Sequence, residues 1–202
     1  QVFTEDFLEN NVHLFLVESI KVPELTSASL TLAGNMSICE PDGVVKMIDC
    51  GLISEILKLS TDHPLDVFWC LANCFESSPK SMFKIIKDLI PRSHEDDSPE
   101  SACFIATVLL FGQSEDVLEI IDDEMLKKVI NAVNNKDVDI SARCLDSISR
   151  LLILTHTRKE IKSKASSLFA PETKEKIELA SKSEIKLVSG LATRILKVMA
   201  KC

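Results

Sequence analysis

Trp69 and Asn73 stand four residues apart, so on a helix they share a face; Asp66 and Asp62, three and seven positions before the tryptophan, reach toward the same side. The chemistry these side chains offer is recognition. An indole face packs the alkyl stem of a Lys or Arg and attracts its charge, worth roughly 0.5–2 kcal/mol. A carboxamide presents both a donor and an acceptor, and the carboxylates supply a negative field. The same residues admit a structural reading, with Trp69 a core aromatic and Asn73 capping or bridging neighbouring helices.

Other combinations carry less chemistry. Cys70 and Cys74 have a spacing that could hold two metal ligands, with His63 nearby, but no second Cys or His pair completes a tetrahedral site. His13, His63, His94 and His156 are scattered, with no Ser or Cys nucleophile signature around them. The five glycines form no phosphate-binding loop. Asp122-Asp123-Glu124 reads as a solvated helix start, with acidic residues at the positive end of the dipole. The expectation is therefore no enzyme, no metal and no cofactor.

The elements that position these residues are helices. Apolar side chains recur three and four apart, predicting helices over 4–20, 25–37, 43–49, 52–60, 65–76, 80–90, 99–112, 114–121, 123–134, 138–155, 157–168, 172–181 and 183–201. Pro64, Pro79 and Pro99 suit first turns, and Ser98 suits an N-cap. The most polar stretch, 92–100, reads as a loop around His94-Glu95-Asp96-Asp97. No alternating strand pattern occurs.

Charge is unevenly spread over the 202 residues, whose net charge is −8. Residues 1–100 hold 7 basic and 17 acidic side chains, whereas 151–202 hold 11 and 5. The first part favours cationic ligands; the last could meet an acidic partner, an anionic surface or nucleic acid, or remain a solvated helix face. Nucleic acid is disfavoured because Phe169 is the only aromatic among those basic residues, so a base-stacking platform is missing. The longest nearly apolar run, 102–112, is too short for a bilayer, which needs about 20 residues, and the start carries no secretory signal. Seven dispersed cysteines read as reduced, buried thiols of a cytoplasmic or nuclear protein. A chain beginning with Gln1 reads as a piece of a longer one.

The segments repeat. Leu30-Thr31-Leu32-Ala33-Gly34-Asn35 aligns with Phe68-Trp69-Cys70-Leu71-Ala72-Asn73 at an offset of 38; Val108 follows Asn73 by 35, and Ile148 follows Val108 by 40. Periods near 40 belong to helical repeats of the armadillo or HEAT type, in which no single unit buries its own apolar face. Four to five stacked units are expected, ending in a helix that buries Ile185, Val188, Leu191, Ile195 and Val198.

Here the sequence resembles the armadillo repeats of the importin-α (karyopherin-α) family. Asp49-Cys50-Gly51 resembles the acidic–small–glycine junction between the first and second helices. Trp69-Cys70-Leu71-Ala72-Asn73 is similar to the Trp-x-x-x-Asn of the third helix, and Leu32-Ala33-Gly34-Asn35 to its Leu-Gly-Asn variant. The match is strongest over 27–76. Thr31 stands where the first repeat would carry Trp, and Val108 and Ile148 where later repeats would carry Asn. The resemblance implies an all-α, right-handed superhelical armadillo/HEAT-like solenoid, a single domain over 1–202 with a basic cap region at 151–202. It further implies that third helices line a groove where Trp69, Asn73, Asn35, Asp66 and Asp62 hold a Lys/Arg-rich, nuclear-localisation-type peptide, and that a segment before Gln1 binds importin-β. The alternative is a scaffold docking a folded protein, with the groove unused.

Overall fold

A computed structural model describes residues 10–39, 41–93 and 96–201. The first part of the expected helix 4–20, and His94 and Glu95 of the expected loop, lie outside the described residues. Those described are helical throughout, with no strand among them. They fall into two compact units, 1–85 and 86–202.

In the first unit α1 (Val12–Ser19) leads through a 3-10 turn (Pro23–Leu25) to α2 (Thr26–Cys39), then α3 (Pro41–Asp49), α4 (Leu52–Lys58), α5 (Pro64–Ser77) and α6 (Pro79–Ile86). Gly51 has φ 82°, the left-handed conformation that turns α3 sharply into α4 without a Cβ penalty. Pro64 occupies the first turn of α5, where its missing N–H is no loss. Helix α5 buries Phe68, Leu71 and Phe75 on one side and packs against α2, whose Leu30 and Ala33 are fully buried. Its other side holds Leu65, Trp69 and Glu76 exposed, with Asp66 and Asn73 half-buried. The period of 3.6 residues thus divides α5 into a core face and an open face.

The second unit runs α7 (Ile90–Ser93), α8 (Pro99–Phe111), α9 (Ser114–Ile120), α10 (Asp123–Asn131), α11 (Val138–Thr157), α12 (Lys159–Lys164), α13 (Pro171–Ala180) and α14 (Lys186–Met199). Here α8 packs on α11 and α11 on α14, so the last helix of each repeat meets its counterpart in the next. Caps fix the starts: Ser98 accepts from Ser101 N at 3.1 Å, Asp122 from Met125 N at 2.8 Å and Asp137 from Asp139 N at 2.9 Å. The region expected as one helix over 80–90 is two pieces, α6 and the single turn α7. The expected 157–168 breaks at Ala165, after which a 3-10 turn spans Ser166–Phe169.

Neighbouring repeats of the second unit are tied by side chains that reach backbone carbonyls. Lys128 donates to Ser93 O at 2.7 Å and also to Asp96 O. Arg150 donates to Leu109 O and Gly112 O at the end of α8. Lys164 donates to Leu118 O at 2.8 Å. A carboxylate does similar work: Asp123 accepts from Ser166 Oγ at 2.7 Å and from both the N–H, at 3.1 Å, and the hydroxyl of Ser167. Asp123 is therefore a cross-repeat tie and not merely part of a solvated helix start.

The serine hydrogen bonds, Ser167 first, hold the Asp123 carboxyl below its ordinary pKa of 3.8. Its contribution to stability is accordingly complete above that value and is lost as pH falls through the depressed one. Melting temperature should drop more steeply as pH falls below about 4 in the wild type than in Asp123→Asn. Parallel pH profiles would refute the tie.

The closing helix matches its expected stripe in part. Val188, Leu191 and Ile195 are buried, joined by Ala192, while Val198 is only half-buried. Ile185 is 41% exposed, because it sits at the N-cap, before the helical period begins. No helix among the described residues is long and apolar enough to cross a membrane.

Candidate functional site

The open face of α5 in the first unit gathers the residues singled out by type and spacing. The indole of Trp69 rests against α2 at Gly34. A Cβ placed on Gly34 would stand 2.3 Å from Cζ3, 2.9 Å from Cε3 and 3.0 Å from Cη2 of the ring. Only glycine leaves room for this seat. The ring remains 38% exposed, so it is packed on one side and open on the other. A fully buried core aromatic would have no such open side.

Asp66, one turn before Trp69, accepts a 2.7 Å hydrogen bond from the Ser27 hydroxyl, 39 residues earlier on α2. This bond pins the first turns of two successive repeats together while leaving the negative charge in place. Thr31, at the position where a tryptophan was expected, is exposed and turns its hydroxyl back onto Ser27 O at 2.9 Å. Asn35 follows Gly34 on the exposed side of α2. Asp62 is exposed in the turn before α5 and adds charge at a distance.

Asn73 is the least settled polar group of the set. Its Nδ2 is shut off from water and has no hydrogen-bond partner among the described residues. A buried donor left unmade costs about 1–3 kcal/mol. Rotation of the amide about χ2 exchanges its donor and acceptor ends, and an incoming main-chain carbonyl would satisfy the donor. Trp69, Asn73 and Asp66 therefore share one face, with Gly34, Ser27 and Asn35 of α2 alongside.

Gly34 and Ser27 were not among the residues expected to build the site. Glycine inside a helix is unfavourable by about 1 kcal/mol relative to alanine, and that oddity, one repeat before a tryptophan, was the available signal. No such signal marks Ser27. Val108 and Ile148, which stand where later repeats would carry Asn, are core residues, at 0% and 1% exposure. The half-open residues of α8 are Glu100, Cys103, Leu110 and Phe111, and those of α11 include Arg143, Asp146 and Arg150, with Arg143 5.4 Å above the Phe111 ring. The Trp/Asn pattern is thus replaced in the second unit by mixed charge.

Cys70 and Cys74 are buried; the hydrogen bond between them and the loss of water raise the Cys70 pKa. Burial pushes Cys103 up to about 11 and raises Cys144 as well. Such thiols stay protonated and unreactive. Among the described residues no cluster of His, Cys, Asp or Glu could hold a metal ion.

No family model matches the chain, and no curated protein matches it. Solved structures do. The designed armadillo repeat protein YIII(Dq)4CqI aligns over 97% of this chain and 85% of its own with a TM-score of 0.74 at 14% identity. The designed armadillo repeat protein YIII(Dq.V1)4CPAF in complex with peptide (KR)4 covers 92% and 98% with a TM-score of 0.54 at 15% identity. One of the computationally designed armadillo repeat proteins for modular peptide recognition gives 0.56 at 13% identity over 92% and 98%. The chain therefore has the all-α repeat-solenoid fold of armadillo proteins. At these identities the likeness establishes fold alone, and it does not single out importin-α among armadillo proteins.

Proposed function

We propose that the chain is a binding scaffold whose first unit holds an extended peptide segment against α2 and α5. The observation that carries this reading is the partnerless Asn73 Nδ2, one turn from an indole that is seated on Gly34 and 38% exposed. An extended main chain supplies the acceptor that Asn73 lacks, and Asn35 offers a second amide one repeat away. The open indole suits the alkyl stem of a Lys or Arg, whose charge meets the field of Asp66 and Asp62. The preference for a Lys/Arg-rich segment is supported by the acidic balance of residues 1–100, and one structure of like fold holds a (KR)4 peptide.

A nuclear-import adaptor acting in cytoplasm and nucleus is the finer form of this proposal. It rests on the Trp-x-x-x-Asn resemblance and on free thiols among the described residues, suited to a reducing compartment. Its importin-β contact would belong to residues before Gln1.

The test is the double variant Asn35→Ala with Asn73→Ala, titrated calorimetrically with Lys/Arg-rich octapeptides. Two amide contacts to a peptide main chain are worth about 1–3 kcal/mol together, a loss of about 5- to 150-fold. The melting temperature should hold, because removing Asn73 also removes an unmade buried donor. Wild-type protein that binds none of the peptides, or a folded double variant that binds as well as wild type, leaves the groove unused and favours docking of a folded partner.

A further inference from the structure

Helix α14 has a buried stripe and, opposite it, a row of cations. Lys186, Gly190, Arg194 and Lys197 follow one another at spacings of four, four and three, which keeps them on one face, and Lys201 lies just past the end of the helix. All five are exposed, and none of the four cations enters an ion pair among the described residues. Most other cations of the unit are engaged: Arg158 with Glu115 at 2.6 Å, Lys174 with Glu178 at 3.8 Å, and Lys128, Arg150 and Lys164 with carbonyls. Helix α11 packs beside α14. On one side of it stand Arg143, Asp146, Arg150 and, three residues on, Ile153, which is 57% exposed, so two cations there outnumber one carboxylate.

Gly190 supplies an independent observation. Glycine weakens a helix interior relative to alanine, yet neither packing nor backbone conformation requires it here. Its φ is not positive, and a Cβ at this position would meet nothing within 4 Å. What it leaves is a strip of bare backbone between Lys186 and Arg194, one turn to either side. Such a strip allows another main chain to approach closely while its side chains reach the cations.

We propose that this face of α14 binds an acidic peptide segment, with Asp or Glu carboxylates on Lys186, Arg194 and Lys197 and the main chain passing over Gly190. Charge complementarity selects the occupant, and Ile153 offers an apolar side chain of the segment a place beside it. Single-stranded nucleic acid fits less well, because neither α11 nor α14 carries a Phe, Tyr or Trp on which a base could stack. The surface is independent of the one built on Trp69 and Asn73.

The experiment measures fluorescence anisotropy of labelled octapeptides of Glu, and of alternating Glu and Leu, with the full chain. A (KR)4 peptide and an eight-nucleotide thymidine strand serve as competing probes. Both acidic peptides should bind, and the triple variant Lys186→Glu, Arg194→Glu, Lys197→Glu should weaken them by at least about tenfold. Gly190→Leu should also weaken them by about fivefold or more while melting at or above the wild-type temperature. That combination separates an occupied surface from a structural role. Asn35→Ala with Asn73→Ala should leave acidic binding unchanged. The proposal falls if the wild type binds neither acidic peptide, if the triple variant binds them equally well, or if the thymidine strand binds more tightly than either.

Discussion

Gly34→Ala should move Trp69 and strip the first unit of peptide affinity. The added Cβ would lie 2.3 Å from the ring, well inside van der Waals contact. The backbone of α2 is held by Leu30 and Ala33 in the core, so the indole must swing outward. Overpacking of this kind costs about 1–3 kcal/mol, but alanine returns about 1 kcal/mol of helix propensity. The net loss of stability is therefore small, and the melting temperature should fall by only a few degrees. Binding should suffer far more, by about tenfold or greater, because the surface facing a Lys or Arg stem is no longer in place. Trp69 is the only tryptophan in the chain, so its emission reports the displacement directly. A red-shifted spectrum together with weak binding is the expected result. Unchanged emission and unchanged affinity would show that the seat on Gly34 plays no part.

Arg150→Met should be the most damaging single change among the ties of the second unit. One guanidinium satisfies two carbonyls, Leu109 O through Nη1 and Gly112 O through Nη2, at the point where α8 ends. Hydrogen bonds from a charged donor are worth about 1.5–3 kcal/mol each. Methionine keeps most of the packing of the stem and removes only the fork. A loss of about 3 kcal/mol is expected, lowering the melting temperature by about 6–12 °C. Lysine should rescue only in part, since its single ammonium must reach both carbonyls from one point, whereas the guanidinium meets each through its own nitrogen. Denaturant titration of the three proteins decides it; a loss below about 1 kcal/mol for Arg150→Met would mean the carbonyls are satisfied by water without the arginine.

Much of this was legible in the residues. Proline positions and apolar spacing located most helices, because both act within one turn. Gly51 marked a sharp bend, and the bend is there with positive φ. The shared face of Trp69 and Asn73 followed from a spacing of four alone. The misplacements come from longer-range physics. The offsets align Val108 and Ile148 with Asn73 but do not say which face they take, because a shift of one residue turns a helix by about 100° and repeats of unequal length carry no mark of their register. Ile185 was counted into a stripe that begins only after the helix does. Asp123 looked like a solvated charge because its partners, Ser166 and Ser167, stand more than 40 residues away. The roles of Lys128, Arg150 and Lys164 were invisible for another reason: their acceptors are backbone carbonyls, which every residue possesses and no letter of the sequence records.

That last property bears on how such a chain can change over generations. A tie made of two side chains, such as Arg158 to Glu115, is kept only if both positions are kept or altered together. A tie to a carbonyl constrains a single position, and the neighbouring repeat may accept almost any residue that preserves its helix end. Successive units joined in this way are free to drift apart in composition while their stacking persists. A duplicated or transplanted unit would arrive with its acceptors already in place. The carbonyl ties of Lys128, Arg150 and Lys164 thus give the second unit a tolerance for divergence that fits a fold recognisable at 13–15% identity.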